Sequence, residues 1–283
     1  MIAVTGASGK LGQHVIQNLI KKVSPSRVVA LVRNPEKAQE LKSLGVQVRK
    51  ADYDIPESWG SALKDVKKLL LISSNEIGKR EAQHKVVIEA AKTAKVEILA
   101  YTSILKANTS ILSLAKEHLA TETAIKESQL PYVFLRNGWY LENHTENLAP
   151  ALEYGVIQGA AGSGRFSSAS REDYALAAVE VLTGTNHNNK IYELAGNASF
   201  TLSELAIELA KQVQKPIVYK DMPFSDYKGF LVSVGVPDIF ADMLANSDVG
   251  ASKGDLHSDA KDLSNLIGRP TTLLSAAIAK SLK

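Results

Sequence analysis

An α/β chain built on an open, doubly wound parallel sheet, with a smaller C-terminal α/β lobe, is predicted by three features of the sequence. Short apolar runs alternate with amphipathic segments through the first half of the chain, the order that a parallel sheet with crossover helices requires. The first of these runs leads straight into three glycines spaced three residues apart, Gly6, Gly9 and Gly12. A later run, Leu69-Leu-Leu-Ile72, lacks any polar alternation, as suits a strand covered on both faces.

Taken in order, the pattern predicts strands over residues 2–5, 27–32, 46–49, 68–72, 97–101 and 132–136. Helices are predicted between them, among others over 11–23, 82–94 and 114–128. Beyond Trp139 the alternation loosens: 155–165 reads as loop, 171–182 as a helix, and several further helices follow. Residues 1–138 are therefore expected to form a nucleotide-binding domain. Residues 139–283 are expected to be a mixed region that contributes the last sheet elements and the substrate lobe.

The glycine turn has a direct physical use. Gly6 permits the tight turn out of the first strand, Gly9 lets backbone approach a pyrophosphate, and Gly12 lets the next helix pack closely on the sheet. That helix points its free N–H groups and positive dipole end at the phosphates. The turn Gly6, Ala7, Ser8, Gly9, Lys10, Leu11 and Gly12 is thus the expected cradle of a dinucleotide in a Rossmann arrangement, Lys10 adding charge or merely being exposed. About twenty residues past the last glycine, where an NAD site carries an acid for the ribose 2′-hydroxyl, this chain has Arg33. A guanidinium matches phosphate oxygens with a planar fork, so the expected cofactor is NADPH. A solvated arginine at a strand end is the plainer alternative.

Composition narrows the function further. With 283 residues, 45% of them hydrophobic, the chain can bury a large core. Its 33 basic and 30 acidic residues leave a charge of +3 without long runs, which argues against a nucleic-acid partner. The absence of cysteine excludes disulfides, thiolate zinc sites and a cysteine nucleophile, and no metal site is expected. A first strand at the start of the chain leaves no room for a leader, and no apolar stretch reaches membrane-spanning length. A cytoplasmic protein with no membrane partner is expected.

Ligands of an open parallel sheet bind outside the carboxyl ends of its strands, which selects the other candidates. Asp52 and Tyr53 follow the third strand, where a carboxylate can accept from an adenine amino group and a ring can flank the base. Ser73, Ser74 and Asn75 follow the fourth, as binding groups or as helix caps. Asn137, Gly138, Trp139 and Tyr140 follow the sixth, as cofactor contacts, as a turn, or as packed aromatics.

Thr5-Gly-Ala-Ser-Gly-Lys-Leu-Gly12, Val32-Arg-Asn-Pro35 and Leu135-Arg-Asn-Gly-Trp-Tyr140 resemble the NmrA-like branch of the atypical short-chain dehydrogenases/reductases. Tyr192-Glu-Leu-Ala-Gly196, Ser247-Asp-Val-Gly-Ala-Ser-Lys-Gly254 and Leu266-Ile-Gly-Arg-Pro-Thr271 extend the likeness to its bacterial quinone-reducing members over essentially the whole chain. The resemblance implies NADPH along the glycine turn and Arg33, and hydride delivery to a small-molecule quinone. It equally brings in a non-catalytic alternative, a redox sensor that binds NADP(H) without turning it over.

One departure bears on mechanism. The wider superfamily carries a Tyr-x-x-x-Lys pair on the helix after the fifth strand, and the corresponding positions here hold Leu114 and His118, followed by Glu122. Without the tyrosine acid, alcohol dehydrogenation and sugar epimerisation lose their proton carrier. Quinone reduction suffers less, because hydride addition yields a stabilised hydroquinone anion. His118 and Tyr140 are the candidate catalytic groups; for His118 the alternative is a half-buried histidine bonded locally.

Overall fold

The computed structural model describes residues 1–283. Strand and helix alternate at first: β1 (Ile2–Val4), α1 (Lys10–Leu19), β2 (Val28–Val32), α2 (Gln39–Ser43), β3 (Gln47–Lys50), α3 (Ser58–Ala62), β4 (Lys68–Leu71), α4 (Arg80–Thr93), β5 (Ile98–Ile104), α5 (Ser113–Glu127) and β6 (Tyr132–Asn137). There follow α6 (Leu141–Thr145), α7 (Ala149–Tyr154), β7 (Val156–Gly159), α8 (Arg171–Thr183), β8 (Lys190–Leu194), α9 (Leu202–Val213) and β9 (Val218–Asp221). Four helices close the chain: α10 (Phe224–Ser233), α11 (Asp238–Ser252), α12 (Asp262–Ile267) and α13 (Leu274–Ser281).

Seven strands form one sheet in the order β3-β2-β1-β4-β5-β6-β8, every neighbouring pair parallel. The alternation of side chains explains why its strands read as unbroken apolar runs. Val28, Ala30, Val32 and Leu70 face one core, against Val15, Ile16 and Leu19 of α1 and Val179 and Leu182 of α8. Val29, Leu31, Leu69 and Leu71 face the other, against Trp59, Val87, Ile88 and Ile125. A third core, with Leu141, Ala151, Leu205, Leu209 and Ile278, holds the smaller lobe around the parallel pair β7-β9.

Three expectations are adjusted. The first helix ends at Leu19 rather than at residue 23, because Lys21 and Lys22 switch to three-residue bonds to Asn18 and Leu19 ahead of Pro25. Residues 155–165 are not all loop: four of them form β7, whose partner β9 comes more than fifty residues later, so no local pattern announces the pairing. The strand after Glu97 runs on to Ile104, because β6 pairs with it up to Asn137. The region after residue 138 divides between the layers, β8 and α8 completing the large sheet and its helical cover and the remainder building the small lobe.

Candidate cofactor and active site

Strand order reverses between β1 and β4, and a cleft of about 630 Å³ opens there outside the carboxyl ends of the strands. Gly6 turns the chain out of β1 with φ of +57°, a conformation that favours glycine. A Cβ on Gly12 would stand 2.7 Å from the Ala7 Cα and closer still to the Gly6 carbonyl, so α1 starts this near the strand only with glycine there. Gly9 caps α1 without a side chain, and the first turn of the helix carries no acid. The free N–H groups of that turn are left for an anion from outside, which is the condition a pyrophosphate needs.

On the outer side, Arg33 follows β2 with its side chain 67% exposed and Nη1 3.5 Å from Glu76 Oε1. Asp52 Oδ1 accepts the Asp54 N–H at 3.1 Å, so half of its carboxylate caps its own turn. The Tyr53 hydroxyl lies 2.7 Å from Thr5 Oγ1 and 2.8 Å from the Ile72 carbonyl, and its ring stacks on Trp59 with centroids 5.8 Å apart. Burial pushes this phenol well above its ordinary pKa, and its place between β1 and β4 makes it a brace of the cleft floor.

On the inner side, Ser73, Ser74 and Asn75 leave β4 along the cleft. The Ser73 N–H donates to Thr102 Oγ1 at 2.9 Å, and the Ser74 N–H donates to His84 Nε2 at 2.9 Å. His84 therefore carries its proton on Nδ1, 2.9 Å from Thr121 Oγ1. Burial first, and the nearby Arg80 cation second, lower its pKa to about 3. Arg80 reaches back from α4 to the Ser74 carbonyl with Nε.

Tyr140 stands at the mouth under Arg171, whose guanidinium carbon is 5.0 Å from the ring centroid. Burial raises the Tyr140 pKa, so the hydroxyl keeps its proton. Glu146 ties Arg171 of α8 to Lys10 of the glycine turn, the latter at 2.6 Å. Of the other candidates, Gly6, Ser8, Gly9, Lys10, Leu11, Gly12, Arg33 and Asp52 share the lining with them. Ala7 is buried beneath the turn, Asn137 is buried at the end of β6, the Gly138 N–H is spent on the Leu194 carbonyl, and Trp139 packs on the small-lobe core.

His118 is the site residue that geometry moves away from the cleft. It is 5% exposed, with Nδ1 2.8 Å from the Tyr101 hydroxyl, because this side of α5 packs down on β5. Burial, then Arg80 and His84, hold its pKa well below the ordinary value, so it has no imidazolium proton to deliver at neutral pH. Leu114 packs on the small-lobe core where the superfamily has its tyrosine. Glu122 pairs with Arg136 through Nε at 2.9 Å and Nη2 at 2.7 Å and also accepts from Ser103 Oγ at 2.7 Å, fastening α5 to β5 and β6.

Sequence reasoning missed Arg80, His84, Glu146 and Arg171. Both arginines open helices at the carboxyl edge of the sheet, a position that could have marked them. The three-dimensional link from Lys10 through Glu146 to Arg171 spans more than a hundred residues and has no local signal.

A parallel sheet with a glycine turn at its switch point and a cation beyond the second strand defines a dinucleotide-binding Rossmann protein. A family model described as NAD(P)H-binding matches residues 6–185, and the chain belongs to that family, in its NmrA-like branch. It is 53% identical over 279 residues to quinone oxidoreductase 2 of Escherichia coli strain K12, covering 99% of this chain and 98% of the relative. The crystal structure of the NADPH-dependent quinone oxidoreductase of E. coli complexed with NADPH superposes with a TM-score of 0.98, at 52% identity over 100% of both chains. Citrobacter sp. triphenylmethane reductase complexed with NADP(H) gives 0.96 at 43% identity, over 99% of this chain and 100% of that one.

Proposed function

We propose that this protein is an NADPH-dependent oxidoreductase that reduces quinones to hydroquinones by hydride transfer. The observation that carries this reading is the 53% identity to E. coli quinone oxidoreductase 2 across 99% of the chain. The geometry of the cleft supports it from a separate direction. Gly9 and the open first turn of α1 receive the pyrophosphate, Arg33 takes the 2′-phosphate, and Asp52 offers its second carboxylate oxygen to the adenine amino group. Ser73, Ser74, Asn75 and Tyr140 bound the other half of the site. When bound, NADPH supplies the hydride.

The acceptor class follows from what the site lacks. His118 is buried away from the cleft, Leu114 replaces the tyrosine acid, and Tyr140, which lines the cleft, has a hydroxyl that burial keeps protonated. A carbonyl reduced to an alkoxide needs a positioned acid. A quinone does not: addition of a hydride, one hydrogen with its two electrons, gives the hydroquinone monoanion, whose charge rests on a phenolate-type oxygen, and one proton from solvent completes the hydroquinone. Rate then depends on holding donor and acceptor together. A cationic carbon acceptor fits the same chemistry, since hydride addition neutralises it without any proton; the Citrobacter relative is named a triphenylmethane reductase.

The sensor alternative is not favoured, because the relatives that match at 43–53% identity over 99–100% of the chain are named as a reductase or an oxidoreductase. Tyr140 is the remaining side chain for a catalytic role, as a hydrogen-bond donor to the acceptor oxygen. A cytoplasmic location belongs to the same proposal, as the compartment that keeps NADPH reduced; no helix is long and apolar enough to cross a membrane. The test is quinone-dependent oxidation of NADPH by the purified protein. Steady oxidation that is much slower with NADH is expected; tight NADPH binding with no oxidation across benzoquinones and naphthoquinones restores the sensor reading.

A further inference from the structure

Besides Arg33, two arginines line the cleft, and the chain uses them differently. Arg171 is engaged on all sides, by Glu146, by Asn143 and by the face of Tyr140. Arg80 is only 7% exposed, and Nε alone makes a hydrogen bond, to the Ser74 carbonyl. Nη1 is buried 3.5 Å from Glu117 Oε2, at ion-pair distance but outside hydrogen-bonding geometry; Nη2 donates to no atom of the chain. A nearly buried guanidinium on a cleft-lining residue with an unmet Nη2 is costly, and Nη2 is the donor left for oxygen atoms from a ligand.

Its placement says which part of a ligand. Strand order puts Arg33, beyond β2, and Arg80, beyond β4, on opposite sides of β1 and its glycine turn. With the pyrophosphate on α1 and the 2′-phosphate at Arg33, the other half of the dinucleotide extends to the β4 side. The group there is also preset. His84 holds the Ser74 N–H while Arg80 holds the Ser74 carbonyl, and Thr121 and Glu117 of α5 back the two side chains, so the guanidinium does not have to be ordered on binding.

We propose that Arg80 is a cofactor-binding residue that holds the ribose–phosphate oxygens of the nicotinamide half of the dinucleotide. It complements Arg33, which holds the adenosine half, and so fixes the donor end of the cofactor. The inference rests on the NADPH part of the functional reading and not on the identity of the acceptor.

Calorimetric titration of wild type, Arg80→Met and Arg33→Ala with three probes tests it: NADPH, 2′-phospho-ADP-ribose, which lacks only the nicotinamide ring, and 2′,5′-ADP, which lacks the second ribose–phosphate. Arg80→Met weakens the first two by about 10- to 100-fold, the range for charge-assisted contacts, and leaves 2′,5′-ADP within about twofold. Arg33→Ala weakens all three. Arg80→Lys keeps the charge and recovers part of the NADPH affinity, and it carries the test if the methionine variant does not fold. Equal losses on all three probes for Arg80→Met mean loop collapse and overturn the proposal. An unchanged NADPH affinity with a lower kcat means contact with the acceptor and also overturns it. A wild type that binds none of the probes defeats the NADPH reading itself.

Discussion

In the proposed function, cofactor choice turns on Arg33. Its guanidinium is mostly in solvent and only loosely held by Glu76, so it is free to meet a phosphate at little cost. Arg33→Ala should raise the Kd for NADPH by about 10- to 150-fold, equivalent to roughly 1.5–3 kcal/mol, and leave NADH nearly unchanged. An unaltered NADPH/NADH ratio in competitive titration removes Arg33 from the site. Gly12 makes a separate prediction: Gly12→Ala drives a methyl group against Ala7 and the Gly6 carbonyl, and should cost about 1–3 kcal/mol in urea unfolding while weakening NADPH. Wild-type stability in that variant contradicts the close approach. The glycines and Arg33 were legible in the sequence because their spacing from a strand fixes where they stand. His118 was legible only as a position on a helix. Whether that position faces the cleft or the Tyr101 side of the core depends on how α5 rolls on the sheet, and one residue of spacing does not determine that.

Two elements, α4 and α5, link the fold to the cleft. Glu122 of α5 is 1% exposed at its side chain and Arg136 of β6 7%, so the pair is closed to water, and Glu122 holds the guanidinium pKa up. Glu122→Ala leaves Arg136 Nε and Nη2 unmet, with only Nη1 still held by Glu193 and Asn108, and should destabilise the protein by about 1.5–3 kcal/mol by denaturant unfolding; a loss below about 1 kcal/mol would mean the pair is replaceable by water. His84 of α4 gives a pH dependence. Its folded pKa of about 3 lies below the roughly 6.5 of an unfolded histidine, so between these values the unfolded chain binds a proton that the fold refuses. Stability is full above about pH 6.5 and falls as pH drops, by up to about 1.4 kcal/mol per unit for this group. His144, lowered to about 4 by burial, acts in the same direction. His84→Gln should reduce the slope of unfolding free energy between pH 6 and pH 4.5, on the order of one proton's worth; an identical slope in both proteins contradicts the neutral, buried histidine. The strands of these layers were legible because residues 28–32 and 69–71 are apolar throughout, whereas β7 was hidden because half-buried four-residue strands carry too little pattern.

At the scale of the molecule, the large sheet supplies a cofactor groove at its switch point, and the small lobe built around β7, β9 and the last helices stands beside its mouth. The division of the chain was only partly legible: β8 returns to the large sheet after the small lobe has begun, and such a return leaves no composition shift to mark it. What the whole assembly is claimed to do is pass two electrons as a hydride to a quinone without a positioned acid. The direct test follows NADPH consumption and hydroquinone formation together, with a simple benzoquinone and with NADPH deuterated at the transferred C4 position. One hydroquinone formed per NADPH consumed is expected, with a primary isotope effect where chemistry limits the rate and no loss of that stoichiometry in His118→Gln. NADPH bound but not oxidised, or oxidised without stoichiometric hydroquinone, would contradict it.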